Sequence, residues 1–303
     1  MFGVCYNIFD HKFTYNKEKK MKLSVTTYSF SKYIQQTKCD YFKICDLTKE
    51  MGFEGIEFVN LDNWGMTDDC LKTAKELREY CAKIGLEIVS YTVGANLLAD
   101  DVDAEVARIK GCVDVAEALG APVMRHDVVW ALRNQPLYTY RSAIKEIAPL
   151  INEITEYAKA KGIRTCTENH GFVFQAPERV EELILAVNNP NYGWLCDIGN
   201  FLCADADPIK AVSIAAPDAF HVHAKDFLVK SGTYPAIPGF GLVTSGGNYL
   251  RGTVVGHGEV PVRACVNALK KAGYDGWLSL EFEGAEDCLY GIQTGLEYLK
   301  SVI

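Results

Sequence analysis

Eight short β-branched or apolar runs alternate with longer segments of helical period from residue 21 to the C-terminus, and this alternation strongly limits the folds open to the chain. Parallel strands connected by helices give such a pattern, and eight strands close a barrel. A length of 303 residues suits one such domain. We therefore predict a single-domain α/β fold, a (β/α)8 TIM barrel over residues 21–303, with strands at 23–30, 55–59, 87–94, 122–129, 163–170, 192–199, 219–226 and 276–283.

Two segments do not fit the repeating pattern. Residues 1–20 mix aromatic and basic side chains without a period, and we interpret them as an N-terminal extension. Residues 228–258, which follow the seventh strand, are rich in Gly, Ser and Pro. Because a connection of this length inside a compact domain is usually functional or disordered, we predict a long loop that covers the carboxyl end of the barrel as a lid.

Composition argues against several classes of function. The net charge of −8 would repel a polyanionic backbone, so nucleic acid is not an expected partner. No uninterrupted apolar run reaches the length needed to cross a membrane. The eleven cysteines form no CxxC pair, which is typical of reduced core residues in a cytosolic protein. We therefore expect a cytoplasmic protein without a nucleic-acid or membrane partner.

Ionisable residues stand at the ends of four successive predicted strands, where a buried strand should be apolar. These residues are Glu168, Asp197, the pair His221 and His223, and Glu281. The carboxyl ends of barrel strands meet at one rim, where active sites of this fold lie. Clustered carboxylates require a cation, and oxygen ligands with one nitrogen favour Mn²⁺ as the first choice, with Mg²⁺, Co²⁺ or Zn²⁺ as alternatives. Spacing alone does not say which histidine is the ligand, because both face the same side of the strand.

Four motifs at these strand ends resemble those of the xylose-isomerase-like superfamily of sugar isomerases and epimerases. The resemblance covers nearly all of residues 21–303, and it is specific for the superfamily rather than for one substrate. The motifs are T-E-N-H-G at 167–171, D-I-G-N-F at 197–201, H-V-H-A-K-D at 221–226 and Y-D-G-W-L-S-L-E at 274–281.

The resemblance implies that Glu168, Asp197, His223 and Glu281 bind one divalent metal ion, and that Glu168 and Glu281 also form the acid/base pair. The implied reaction is the isomerisation or epimerisation of a sugar or sugar derivative, in which a proton next to a carbonyl is removed through an enediolate. Many epimerases of this group carry a histidine where this chain has Asn200. This difference keeps a lyase or dehydratase open as the alternative.

The fourth strand carries a second difference, R-H-D at 125–127. It is similar to an arrangement in the metal-bearing large subunits of bacterial C-glycoside deglycosidases. That similarity implies His126 as a further catalytic residue, a keto-sugar or 3-keto-glycoside as the substrate of a lyase, and a small partner subunit; a homo-oligomer is the other alternative. A histidine that is hydrogen-bonded in the barrel wall is the competing interpretation of His126.

Further polar or aromatic residues at the same rim are candidates for contacts with a small carbohydrate. An ion pair between Lys225 and Asp226 is the alternative for those two residues. No glycine-rich phosphate loop is present, so the sequence itself does not support a phosphorylated substrate. An apurinic endonuclease needs several histidines for a multi-metal cluster, and this chain has six in total and an acidic balance, which disfavour that class. A non-catalytic sugar-binding barrel is the remaining class. The predicted substrate-binding residues are Tyr28, Glu57, His170, Asn200, Lys225, Asp226, Arg251 and His257.

Overall fold

The computed structural model describes residues 21–303, and the predicted N-terminal extension at 1–20 lies outside the described residues. In chain order the strands are β1 (Lys22–Thr26), β2 (Gly55–Val59), β3 (Glu87–Val93), β4 (Val123–His126), β5 (Arg164–Glu168), β6 (Tyr192–Asp197), β7 (Ala219–Ala224), β8 (Asp226–Lys230), β9 (Leu242–Val243), β10 (Tyr249–Thr253) and β11 (Trp277–Leu280). Strands β1–β7 and β11 form a closed barrel, because β1 pairs in parallel with both β2 and β11. The predicted (β/α)8 TIM barrel is confirmed.

Amphipathic helices cover the outside of the barrel. The helices are α1 (Ser31–Thr37), α2 (Tyr41–Met51), α3 (Cys70–Ile84), α4 (Val102–Leu119), α5 (Tyr140–Lys159), α6 (Pro177–Val187), α7 (Pro208–Ala215), α8 (Val262–Lys271) and α9 (Cys288–Lys300). In α5, Ile147, Ile151 and Ile154 recur at helical spacing and are fully buried. Helices α3 and α4 end at Gly85 and Gly120, whose φ angles of +67° and +74° favour a residue without a Cβ atom. None of the helices within residues 21–303 is both long and apolar enough to span a bilayer.

The barrel strands end earlier than the sequence predicts. The predicted strand at 276–283 stops at Leu280, and the predicted strand at 122–129 stops at His126. The chain leaves the sheet where polar residues replace apolar ones, because the strand-end carboxylates are directed to the mouth rather than to the wall. Glu281 and Glu283 therefore follow β11 at the rim.

The segment at 228–258 differs from the predicted unstructured loop. Here β10 pairs in antiparallel fashion with both β8 and β9, which gives a three-stranded sheet beside the barrel mouth. Phe227 and Leu250 are buried and pack with Cys203, so this sheet has an apolar face of its own. Glycines and prolines between the short strands hide their period in the sequence. We call this element the mouth sheet.

Candidate metal centre

Four side chains from neighbouring strands converge inside the barrel mouth. Glu168 and Asp197 are the last residues of β5 and β6, His223 lies in β7, and Glu281 directly follows β11. One potential ligand atom of each residue lies within 4.8 Å of those of the other three, and all four residues are buried. The structure thus brings together the four predicted metal ligands, which we call the metal cluster.

Three buried atoms of the metal cluster have no hydrogen-bond partner among the described residues: Asp197 Oδ2, His223 Nδ1 and Glu281 Oε2. Lys225 Nζ lies 2.7 Å from Glu281 Oε2, but it approaches as an ion pair without hydrogen-bond geometry. Buried polar atoms without partners are destabilising. A divalent cation would satisfy all three, and three carboxylates with one imidazole are a suitable ligand set for it. The residues therefore fit a single metal ion.

A buried glutamate fixes the orientation of His223. The Nε2–H group of His223 donates to the two carboxylate oxygens of Glu57 at 3.0 and 2.9 Å, and that of His221 donates to Glu57 at 2.7 Å. The Thr92 hydroxyl donates to the same carboxylate at 2.6 Å. Because Nε2 of His223 carries the proton, Nδ1 is free to face the metal cluster. Its position 3.4 to 4.0 Å from the three carboxylates of the cluster distinguishes His223 from His221.

The position of Glu57 corrects its predicted role. Its side chain is 0% exposed and its oxygens are occupied by the two histidines and Thr92, so it is not placed to contact a substrate. A carboxylate that holds a metal-binding imidazole from behind is a common support of metal sites. Glu57 is therefore a positioning residue for His223.

The Glu57→Gln variant is expected to bind Mn²⁺ about 10- to 100-fold more weakly than the wild type, because an amide has one acceptor oxygen and its NH₂ group would face an N–H or O–H donor. Free Mn²⁺ is measured during a titration by electron paramagnetic resonance. Ser279→Ala is the control, since the Ser279 hydroxyl lies 3.1 Å from His221 Nε2, and Ser279 pairs with His223 through the backbone of the sheet only. Unchanged affinity in Glu57→Gln would show that this carboxylate does not orient the ligand.

Backbone amides hold Asp197 so that one carboxylate oxygen faces the metal cluster. Its Oδ1 accepts the N–H groups of Gly199 at 2.7 Å and Asn200 at 2.9 Å, which leaves Oδ2 free. Asn169 accepts the Asp197 N–H and donates to its carbonyl oxygen. A Cβ atom on Gly199 would lie 2.6 Å from the Lys225 carbonyl oxygen, so this turn requires glycine. The D-I-G-N sequence therefore sets the position of the Asp197 carboxylate.

Arg125, rather than His126, reaches the metal cluster from β4. Arg125 Nη2 lies 2.8 Å from Glu168 Oε2 and 2.6 Å from Asp127 Oδ1. Because successive strand residues face opposite sides of a sheet, His126 lies in the wall, with Nδ1 2.8 Å from the Asp127 carbonyl oxygen and its ring 6.1 Å from that of Tyr192. The prediction of His126 as a catalytic residue is corrected by this position, which agrees with the barrel-wall interpretation.

His170 extends the contacts of Arg125 towards solvent. Its Nδ1 lies 3.0 Å from Asp127 Oδ1, and its side chain is 48% exposed. Burial of the ring lowers the pKa of His170, but the hydrogen bond with Asp127 outweighs this effect and raises the pKa above its usual value. His170 is therefore placed where it can meet a ligand, as predicted for a substrate contact.

Two predicted substrate contacts touch the metal cluster itself. Lys225 Nζ lies 2.7 Å from Glu281 Oε2, 3.1 Å from Glu283 Oε2 and 3.4 Å from Asp197 Oδ2. The Asn200 side chain donates from Nδ2 to Glu168 Oε1 at 2.9 Å. Lys225 thus pairs with these carboxylates, and the alternative ion pair with Asp226 is not formed.

The carboxylates of the metal cluster differ in their affinity for a proton. Burial raises the pKa of Asp197 to about 7, with Lys225 opposing the increase and Glu168 and Glu281 adding to it. Burial also acts to raise the pKa of Glu281, but Lys225 and His223 lower it below its usual range. Asp197 therefore keeps a proton to higher pH than Glu281, and a bound cation would compete with that proton.

The remaining predicted substrate contacts lie in different surroundings. Tyr28 and Arg251 line a cavity next to the metal cluster. Asp226 instead accepts four backbone N–H groups, at positions 227, 256, 258 and 260, so its carboxylate fixes a turn and is not available to a substrate. His257 is exposed in that same turn and is not among the residues that line the cavity. The structure therefore does not place Asp226 or His257 where a substrate contact was predicted.

Arg125, Asp127 and Glu283 contact the metal cluster or its partners but are absent from the predicted site. Each is a charged residue at or just after the end of a barrel strand, within two positions of a residue that the sequence analysis names, and that position is the signal that identifies them. The contacts of Glu57 span 164 and 166 residues of sequence, and no local pattern predicts them.

Comparison with known proteins agrees with this architecture. A family model described as a xylose isomerase-like TIM barrel matches residues 45–302. The rhizopine catabolism protein MocC of Rhizobium meliloti is 27% identical over 217 residues, 66% of this chain and 63% of that protein. An inosose dehydratase of Clostridium tetani is 26% identical over 153 residues, 49% of this chain and 50% of that enzyme. The chain therefore aligns with less than two thirds of each of these relatives.

A solved structure with the same fold is the D-psicose 3-epimerase of Clostridium cellulolyticum H10 with D-tagatose. It superposes with a TM-score of 0.71 at 15% identity and covers 93% of this chain and 99% of the epimerase chain. At this identity the likeness establishes the fold alone. The family model, in contrast, spans most of the sequence and all four residues of the metal cluster, and the chain accordingly belongs to the xylose isomerase-like TIM barrel family.

Proposed function

We propose that this protein is a divalent-metal-dependent isomerase or epimerase that removes a proton next to the carbonyl group of a sugar or sugar derivative. The observation that carries the proposal is the metal cluster, whose four ligand atoms lie within 4.8 Å of one another and include three without hydrogen bonds. Its residues would hold Mn²⁺, Mg²⁺, Co²⁺ or Zn²⁺. When bound, such an ion supplies positive charge that polarises a carbonyl and makes the neighbouring C–H group more acidic.

Glu168 and Glu281 are the candidates for moving the proton. They lie on opposite sides of β6 and β7 in the barrel order, and each is held in place by a buried cation, Arg125 at 2.8 Å and Lys225 at 2.7 Å. A carboxylate fixed on each side of a sugar can take a proton from one face, and the second can return it to the other face or to the neighbouring carbon.

A dehydratase or other lyase that acts on a keto-sugar is the second candidate, and Lys225 favours it. This lysine is 4% exposed and lies among three carboxylates, so its ammonium group can donate a proton to a departing hydroxyl. Glu281, 2.7 Å away, can pass on to Lys225 the proton that it removed from carbon, which balances the loss of water. The similarity to an inosose dehydratase supports this candidate.

Hydrogen exchange tests the step that both candidates share. The protein is loaded with Mn²⁺ and incubated in D₂O with D-fructose, D-tagatose or scyllo-inosose, and the recovered sugars are analysed by mass spectrometry. We expect one of these ketones to gain deuterium, to stop doing so after treatment with EDTA, and to resume when Mn²⁺ is added back. A product of unchanged formula identifies an isomerase or epimerase, and a product that lacks one water identifies a dehydratase.

The control is Asp197→Asn, which keeps the size of the side chain but removes the charge of a predicted ligand; we expect it to lose both bound Mn²⁺ and exchange. If metal-loaded wild-type protein gives no exchange with a broad panel of ketoses, ketosides and keto-inositols, the proposed function is contradicted.

A further inference from the structure

A cavity of about 430 Å³ opens beside the metal cluster. Residues that follow β1, residues of β10 and residues that follow β11 form its walls, among them Tyr28, Lys32, Arg251 and Glu283. Glu283 joins the cavity to the metal cluster, because Lys225 Nζ lies 3.1 Å from Glu283 Oε2 and 2.7 Å from Glu281 Oε2. A ligand that reacts at the metal cluster would therefore extend its far end into this cavity.

Arg251 brings to the cavity a positive charge that has no acidic partner. Its guanidinium carbon lies 5.5 Å from the centroid of the Phe240 ring, and its Nε atom is buried without a hydrogen bond. Arg251 forms no salt bridge within residues 21–303, whereas Arg125 pairs with two carboxylates. A partly buried guanidinium without a counter-charge is destabilising unless a ligand supplies one.

Lys32 adds a second cation to the same wall. Its Nζ donates to the backbone carbonyl oxygen of Gly284 and not to a carboxylate. Glu283 is the acidic residue of the wall, and it shares Lys225 with two carboxylates of the metal cluster. The two wall cations therefore outnumber the carboxylate of the wall. The cavity is therefore positive, and its two cations are open to an anion.

We propose that this cavity binds an anionic group of the substrate, a carboxylate or a phosphate, at the end of the molecule away from the reacting carbonyl. The inference rests on the proposed function, which places the reacting end at the metal cluster. A guanidinium binds both kinds of anion through two parallel N–H bonds, and stacking on Phe240 restrains the Arg251 plane for such contacts. The substrate class is thus an acidic keto-sugar, a cyclic keto acid or a ketose phosphate.

Three ketoses that differ in their terminal group test this inference: D-fructose is neutral, 5-keto-D-gluconate carries a carboxylate, and D-fructose 6-phosphate carries a phosphate. Dissociation constants are measured by isothermal titration of the full, Mn²⁺-loaded protein at low ionic strength. We expect at least one anionic ketose to bind about 10-fold or more tightly than D-fructose. The tighter of the two anions identifies the group.

In the Arg251→Gln variant this preference, expressed as the ratio of the dissociation constant for D-fructose to that for the anionic ketose, is expected to fall about 10-fold. Arg164→Gln is the matched control, because Arg164 also stacks on a phenylalanine, 4.4 Å from the Phe220 ring, but lies at the amino end of β5. Lys32→Gln should weaken anion binding in the same direction, and it preserves the test if Arg251→Gln does not fold.

Equal binding of the three ketoses by the wild type would overturn the inference, as would an anion preference that survives both Arg251→Gln and Lys32→Gln. Deuterium exchange on the same samples separates this failure from failure of the proposed function. If the wild type prefers an anionic ketose, the variants lose this preference and no ketose gains deuterium, the anion site is supported and the proposed function is contradicted. If a ketose gains deuterium but no anion is preferred, the proposed function is supported and the anion site is contradicted.

Discussion

The Glu168→Gln variant is expected to turn over its substrate about 10²- to 10⁴-fold more slowly than the wild type at saturating Mn²⁺. The amide keeps the length of the side chain and one oxygen at the metal cluster, but it cannot take up a proton. Arg125 retains its contact with Asp127 at 2.6 Å, and the backbone pairing of β4 with β5 does not depend on the replaced side chain. Deuterium incorporation is measured at several Mn²⁺ concentrations, which separates slower proton transfer from weaker metal binding.

Glu182→Gln is the matched control for this experiment. Glu182 lies on α6, pairs with Arg141 at 2.8 Å on the protein surface, and is expected to keep wild-type turnover when replaced. If Glu168→Gln also keeps wild-type turnover at saturating metal, Glu168 does not move the proton.

Replacing Arg125 with Met is expected to lower the free energy of unfolding by about 3–5 kcal/mol. Arg125 is 5% exposed, and its guanidinium group neutralises both Glu168 and Asp127. Methionine fills much of the same volume but removes the guanidinium from buried Glu168 and leaves Asp127 with His170 as its remaining partner. The change is measured by urea denaturation of the metal-free protein near neutral pH.

Arg141→Met provides the comparison on the surface. Arg141 is 68% exposed in its side chain, and the loss of its pair with Glu182 is expected to change stability by no more than about 1 kcal/mol. A similarly small loss in Arg125→Met would mean that the carboxylates around Arg125 are neutralised in another way.

The barrel and the grouping of its four strand-end residues follow from simple regularities of the sequence. Alternating strand and helix patterns predict parallel strands, and the carboxyl ends of parallel strands meet at one rim. Polar residues at those ends, such as Glu168 and Asp197, are therefore predicted to be neighbours although they lie 29 positions apart in the sequence. The helix ends at Gly85 and Gly120 can equally be predicted from the local sequence, because each needs only a residue that adopts a left-handed backbone conformation.

The supporting contacts of the site depend on information that short patterns lack. In the four-residue strand β4, a shift of one residue exchanges Arg125 and His126 between the interior and the wall, and nothing in R-H-D decides between the two. Glu57 meets His221 and His223 across the closed barrel, a contact set by closure rather than by local spacing. In the mouth sheet, the five-residue strands β8 and β10 pair across a connection rich in glycine and proline. That composition is typical of a loop and hides the strands in the sequence.

Asp226 joins the first residues of β8 to the turn that follows β10. Its carboxylate accepts backbone N–H groups on both sides of Arg251 in the sequence, at 227 before it and at 256, 258 and 260 after it. Segments held by buried hydrogen bonds resist local opening. The base of the sheet is accordingly held in place, and we expect the width of the entrance beside it, more than any opening motion, to set the size of the ligands that reach the metal cluster.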